Sequence, residues 1–126
     1  MSLRIVTLAL AASFLSPVIA AAASPFDDYA LEAANRMGLL EHCSTLGFAK
    51  ALDVQNARKV LYNRPDMPPE KDWRAAEDEG KRGVLLAAGE HVPLADLADR
   101  SHRSIQQMCE GFVASASVAA SMAGQP

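Results

Sequence analysis

IQQMCEGF, residues 105–112, shows a clear helical pattern and contains one of the chain's two cysteines. Its apolar residues recur at i, i+3, i+4 and i+7, so they share one helix face: Ile105, Met108, Cys109 and Phe112. The other cysteine, Cys43, ends a second stripe of this kind: Tyr29, Ala33, Met37 and Leu40. Because both cysteines lie on apolar faces, we expect them to join the first and last helices of a small helical bundle.

Residues 1–23 have the order of a secretory signal peptide. A positively charged start precedes an apolar run, Pro17 breaks that run, and four alanines follow. We expect cleavage after Ala23 or after Ala20, and export to the periplasm. A membrane anchor would need about 20 predominantly apolar residues, and Pro17 interrupts this run.

The remaining chain, residues 24–126, is expected to be a single helical domain. A domain of this size buries about two-thirds of its unfolded surface, so its stability is modest. Without Arg4 the chain has 11 basic and 15 acidic side chains, a net charge of −4. This weak acidity argues against nucleic acid or an anionic membrane surface as the main partner. No later segment is apolar enough to predict a membrane span.

Two cysteines in an exported chain most simply form one disulfide. A Cys43–Cys109 bond would close a long loop, for which the chain-entropy model gives ~4 kcal/mol. That is a large share of the ~5–15 kcal/mol that stabilises such a domain. Two isolated buried thiols are the alternative.

Turn signals divide the rest into four predicted helices: 25–43, 48–62, 70–88, and one from 93 that can extend to 122. The second could instead begin at Val54, with Asp53 as its cap. From about residue 114 the last helix becomes a tail rich in alanine and serine, expected to fray. No segment alternates apolar and polar residues over a useful length for a strand. The predicted fold is therefore all-α, an antiparallel bundle of about four helices.

The third predicted helix carries a dense set of charges. Its acids and bases form i, i+4 pairs in the favourable order: Glu70–Arg74, Glu77–Lys81 and Asp78–Arg82. We therefore expect a solvated face, on which replacing Glu77 changes stability by less than ~0.5 kcal/mol. Gly80 and Gly83 cost helix propensity but would permit a close approach to a neighbouring helix, whereas Gly38 in the first helix is expected to weaken it.

A metal site is the alternative interpretation of the cysteines. Two imidazoles and two thiolates could hold zinc or a soft metal: His42, Cys43, His102 and Cys109. Their spacing matches no standard ligand pattern, and adjacent residues on a helix point about 100° apart. We therefore expect no metal and no cofactor.

Catalytic signatures are also missing from the sequence. It contains no G-x-S-x-G, no phosphate loop and no C-x-x-C. Its outline is similar to that of small periplasmic acid-stress chaperones and immunity proteins, although no motif residue matches and no family is assigned. We therefore expect a non-catalytic protein that binds another protein as an immunity or inhibitor protein, an accessory subunit or a chaperone. A metal-binding or metal-sensing role is the alternative.

Overall fold

The computed structural model describes residues 25–62 and 68–123, within which the chain forms five helices and one β-hairpin. In chain order the elements are α1 (Pro25–Thr45), α2 (Ala51–Tyr62), α3 (Glu70–Lys81), β1 (Val84–Ala87), β2 (Glu90–Pro93), α4 (Leu94–Ser101) and α5 (Ile105–Ala123). The mostly helical fold is confirmed, but the described residues do not form the simple four-helix bundle that we expected. The predicted signal peptide lies outside the described residues. No helix in the described ranges combines the length and apolar character that a bilayer span requires.

Helix α1 is the centre of the fold and contacts α2, α3, α5 and β1. One side of it packs into a first core cluster, in which Met37 meets Leu61 of α2 and Ala76 of α3. Its C-terminal end enters a second cluster, in which Cys43 meets Leu94 and Cys109. Both predicted apolar stripes thus contribute to the core, except that Tyr29 is 57% exposed.

Helices α1 and α3 touch through two glycines. A Cβ on Gly38 would lie 1.9 Å from the backbone oxygen of Glu77, and one on Gly80 would lie 2.1 Å from that of Asn35. Neither position can hold a side chain at this separation. The close approach predicted for Gly80 is therefore confirmed, and Gly38, which we expected to weaken its helix, is its counterpart. The same prediction for Gly83 is wrong, because Gly83 lies after the end of α3 at a φ of 79°.

In an up-and-down bundle the first and third helices run in the same direction but lie diagonally opposite each other, whereas here α1 and α3 pack directly against each other. Near the start of the contact Asn35 bonds to Ala76, and seven residues further along α1, His42 bonds to Lys81. Partner positions increase together along the two helices, so α1 and α3 run in the same general direction.

The third helix ends at Lys81 rather than at residue 88, because a hairpin follows it. Strands β1 and β2 pair antiparallel, joined by Ala88 and Gly89 at φ values of 51° and 76°. Two positive φ values are characteristic of a type I′ turn, whose twist suits a two-residue hairpin. The hairpin was not predicted, because leucine and alanine favour helix and four-residue strands are too short to show alternation.

The outer edge of β1 is held by side chains of α1. Asn35 is fully buried, and its Nδ2 donates to the carbonyl oxygens of Val84 at 2.9 Å and Ala76 at 3.1 Å. Its Oδ1 accepts from the Leu86 N–H at 2.8 Å. One turn earlier, Glu32 accepts from the backbone N–H that follows β1, at 3.0 Å. Strand β1 is therefore paired on both edges, to β2 and to α1.

The fourth predicted helix is divided in two at His102, whose φ of 53° is left-handed and ends α4. Helix α5 then starts with a reciprocal cap: the Gln107 N–H donates to Ser104 Oγ at 3.1 Å, and the Ser104 N–H donates to Gln107 Oε1 at 2.9 Å. This is the capping box that S-x-x-Q encodes. The sequence contains this capping box, but the apolar stripe continues across it, so a single helix was predicted.

Helix α2 begins at Ala51, between the two starts that we considered. Asp53 does not cap a shorter helix. Its Oδ2 instead accepts from the Lys50 N–H at 3.0 Å, which satisfies a backbone donor at the helix start.

Candidate binding site

The disulfide predicted between Cys43 and Cys109 is present, with the two Cα atoms 5.6 Å apart. Both residues are fully buried, and half-buried apolar side chains surround them: Ala49, Leu97, Ile105, Met108 and Phe112. A buried disulfide is shielded from attacking thiolates while the protein is folded, so reductant reaches it when the chain unfolds. The bond therefore serves to hold α5 against α1.

The four residues of the alternative metal site are not arranged as ligands. Both cysteine sulfurs are in the disulfide, and His42 Nδ1 donates to the Lys81 carbonyl oxygen at 3.2 Å. His102 is exposed at the end of α4. Over residues 25–62 and 68–123, no group of three or more His, Cys, Asp or Glu side chains could hold a metal ion. Metal binding by these four residues would first require reduction of the disulfide.

Glu77 is buried, only 3% exposed, which corrects the expectation of a fully solvated charged face. Its Oε1 lies 3.2 Å from Arg58 Nη2 and 3.3 Å from Lys81 Nζ. Both cations also pair with Glu41. Arg58 Nη2 pairs with Glu41 Oε1, and Lys81 Nζ lies 3.5 Å from Glu41 Oε2. The i, i+4 spacing predicted the pair with Lys81. It could not predict the approach of Arg58, which comes from a different helix.

These four charges join α1, α2 and α3, and Lys81 Nζ also lies 3.8 Å from Asp78 Oδ1. The buried carboxylate of Glu77 meets two cations, as a buried carboxylate requires. Because the carboxylates are held by cations, the network is better suited to fixing three helices than to acid–base chemistry.

A groove of about 460 Å³ lies between α1, α2, β1 and α5. Its lining is mainly apolar and includes Met37, Leu40, Leu61, Leu85, Met108 and Phe112. These six side chains come from all four elements. The groove therefore exists only once the hairpin and α5 have packed on α1.

Two arginines lie in this apolar lining, Arg36 of α1 and Arg103 just before α5. Both are exposed. No described residue of the lining is acidic, and within the described ranges no carboxylate pairs with either arginine. The chain as a whole has more acidic than basic side chains, 15 against 12. The groove therefore differs in charge from the rest of the protein.

A second exposed surface lies on the C-terminal half of α5. Residues 111–123 contain no charged side chain, and the helix continues to Ala123 rather than fraying from about residue 114. Four of its exposed residues share one side of the helix, at i, i+4, i+7 and i+8: Ala114, Val118, Ser121 and Met122. We call these four residues the outer face of α5. Val118 is 60% exposed and Met122 73%.

The chain was compared with protein-family models, curated proteins and solved structures, and no significant match was found. The sites are therefore argued from this chain's own residues. Sequence reasoning did not identify Arg36, Arg103 or the outer face of α5. No local pattern marks the two arginines, because they are 67 positions apart in the chain and line one groove only through the fold.

Proposed function

We propose that this chain is an exported, non-catalytic protein that binds another protein through the outer face of α5. Export is supported by the signal-peptide order of residues 1–23 and by the disulfide, which persists in oxidising compartments such as the periplasm. An immunity protein, an accessory subunit and a chaperone all require such a surface.

The uncharged, exposed end of α5 carries the proposal. A surface helix in a soluble protein normally has charged or polar residues on its outer side, whereas residues 111–123 have no charge on any side. Val118 and Met122 are two of the most exposed large apolar side chains of the described chain. Exposed apolar surface of this kind is typical of contact with another protein.

The chemistry of the charged and sulfur-containing residues supports a role without catalysis. The buried carboxylate, Glu77, is neutralised by cations, and both cysteines are in the disulfide. A cysteine nucleophile would need a free thiolate.

The test places a photo-crosslinking amino acid at position 118 and, as a control, at Ala95, which is exposed on α4. After crosslinking in cells, position 118 should give a discrete adduct with one other protein, and position 95 should not. A set of many adducts would indicate a chaperone. An adduct of twice the chain's mass would instead join two copies, and a chain without adducts at position 118 would contradict the proposal.

Two lysine substitutions test the same face. With the crosslinking amino acid at position 118, Met122→Lys should reduce recovery of the crosslinked partner at least about tenfold, because a charge would enter an apolar interface. With the crosslinking amino acid at position 122, Val118→Lys should have the same effect. Ala95→Lys is the matched control and should have no effect. Export is tested separately by intact mass, which should show a mature chain that starts at Ser24 or Ala21; a retained Met1 would contradict it.

A further inference from the structure

We propose that the groove between α1, α2, β1 and α5 binds a long-chain fatty acid, with its acyl chain along the apolar lining and its carboxylate at Arg36 and Arg103. This ligand site goes beyond the protein-binding role proposed above and does not depend on it. The two sites use different residues, because no member of the outer face of α5 lines the groove.

The size of the groove suits a small apolar ligand. Its volume of about 460 Å³ falls within the ~300–1,000 Å³ typical of small-molecule sites. From Gln107 to Ala119 the lining of α5 is about 18 Å long at 1.5 Å per residue, the length scale of an extended acyl chain. Met37 and Met108 contribute adaptable side chains to the lining.

The charge of the groove favours an anionic head group. Arg36 and Arg103 are the charged side chains of the described lining, and no carboxylate of the described chain neutralises them. A guanidinium binds a carboxylate through two parallel hydrogen bonds. A ligand with an apolar chain and one carboxylate would therefore satisfy both parts of the lining.

The apolar lining favours an acyl chain over a polypeptide as the occupant. A single acyl chain has no backbone donors or acceptors that need partners in an apolar lining.

The experiment titrates dodecanoate, below its micelle concentration, into the protein as cells produce it, with the methionine methyl groups labelled for NMR. Met37 and Met108 line the groove, whereas Met122 does not, so each titration contains its own control. We expect saturable shifts of the Met37 and Met108 methyl signals and a constant Met122 signal. Affinity should rise up to about fourfold per methylene from octanoate to dodecanoate.

The head-group requirement is tested with dodecyltrimethylammonium, which has the same chain and the opposite charge, and with the double variant R36Q/R103Q. The cation should not bind, and the variant should bind dodecanoate at least about tenfold more weakly. The control variant R82Q/R100Q removes two other exposed arginines and should bind like the wild type. All four replaced arginines are exposed, so both double variants should remain folded.

Any one of the following results would overturn the proposal: no saturable shift, equal binding of the anion and the cation, or wild-type affinity in R36Q/R103Q. One combination of results would overturn the proposal and assign the groove to a polypeptide. In it, dodecanoate shifts neither the Met37 nor the Met108 signal, and R36Q/R103Q no longer gives the adduct with a protein at position 118. Failure of the protein-binding role is distinguishable, because Val118→Lys and Met122→Lys lie outside the groove and should leave dodecanoate binding unchanged.

Discussion

The α1–α3 contact and the α1–α5 contact hold the same central helix in different ways. Helix α3 meets α1 through two glycines, a buried asparagine and a network of four charges, so backbone fits closely against backbone. Helix α5 is joined by one disulfide and a small apolar cluster, and its second half is largely exposed. The first contact depends on shape and buried polar bonds, and the second depends on a covalent link. The two should therefore respond differently to substitution and to reductant.

The largest effect is expected at the glycine contact. In Gly80→Ala the new Cβ would lie 2.1 Å from a backbone oxygen of α1, which cannot rotate away, so the helices must separate. We expect a loss of about 4 kcal/mol or more, measured by chemical denaturation. Gly111→Ala on α5 is the control, because nothing lies within 4 Å of its Cβ. It should stabilise the helix by roughly 0.5–1 kcal/mol, and similar losses in both variants would refute the close-packing argument.

Removing the disulfide should cost ~2–5 kcal/mol, mainly by restoring freedom to the unfolded chain. Cys43→Ser, Cys109→Ser and the double variant should lose about the same amount, because each removes the same bond. Thermal unfolding with and without reductant measures this. Reductant should weaken the wild type and leave the double variant unaffected, whereas a double variant as stable as the wild type would show that α5 needs no covalent link.

Asn35→Leu should cost about 3 kcal/mol, because it keeps the volume but leaves buried backbone groups without a partner. Hydrogen exchange should show the local effect as a large loss of protection at the Leu86 amide, which donates to Asn35 Oδ1. The matched control is Asn56→Leu, at an exposed position of α2, which should leave the Leu86 amide protected. Unchanged protection in Asn35→Leu would mean that β2 alone holds β1.

The smallest of the four effects is expected at Glu77. Glu77→Gln should cost about 2 kcal/mol, because Arg58 and Lys81 lose a buried carboxylate but keep Glu41 and access to water. Glu70→Gln removes a carboxylate from an exposed i, i+4 pair and should cost less than about 0.5 kcal/mol. If urea denaturation gave equal losses of unfolding free energy for Glu77→Gln and Glu70→Gln, Glu77 would be a solvated residue, as its sequence pattern suggests.

Features that depend on neighbouring residues could be predicted from the sequence, and features that depend on distant residues could not. The stripe ending at Cys43 and the stripe containing Cys109 could be read because helix periodicity is local. The hairpin was missed because Leu85 and Leu86 have the propensity of helix residues, and their strand conformation depends on Asn35, 50 or so positions earlier. Several apolar side chains of the candidate groove were predicted from the sequence as core residues. Neither of its two arginines was predicted as part of a site.

By itself the sequence determined the helical composition, the pairing of the two cysteines and the small residue at position 80 that lets two helices touch. Each of these depends on periodicity, on the number of cysteines or on the size of one side chain. Only the tertiary structure decided that α3 packs directly against α1, that a hairpin follows α3, that Glu77 is buried and that Arg36 and Arg103 line one apolar groove. These features depend on which distant segments pack together, and the free energy of that packing belongs to the whole chain rather than to any one segment.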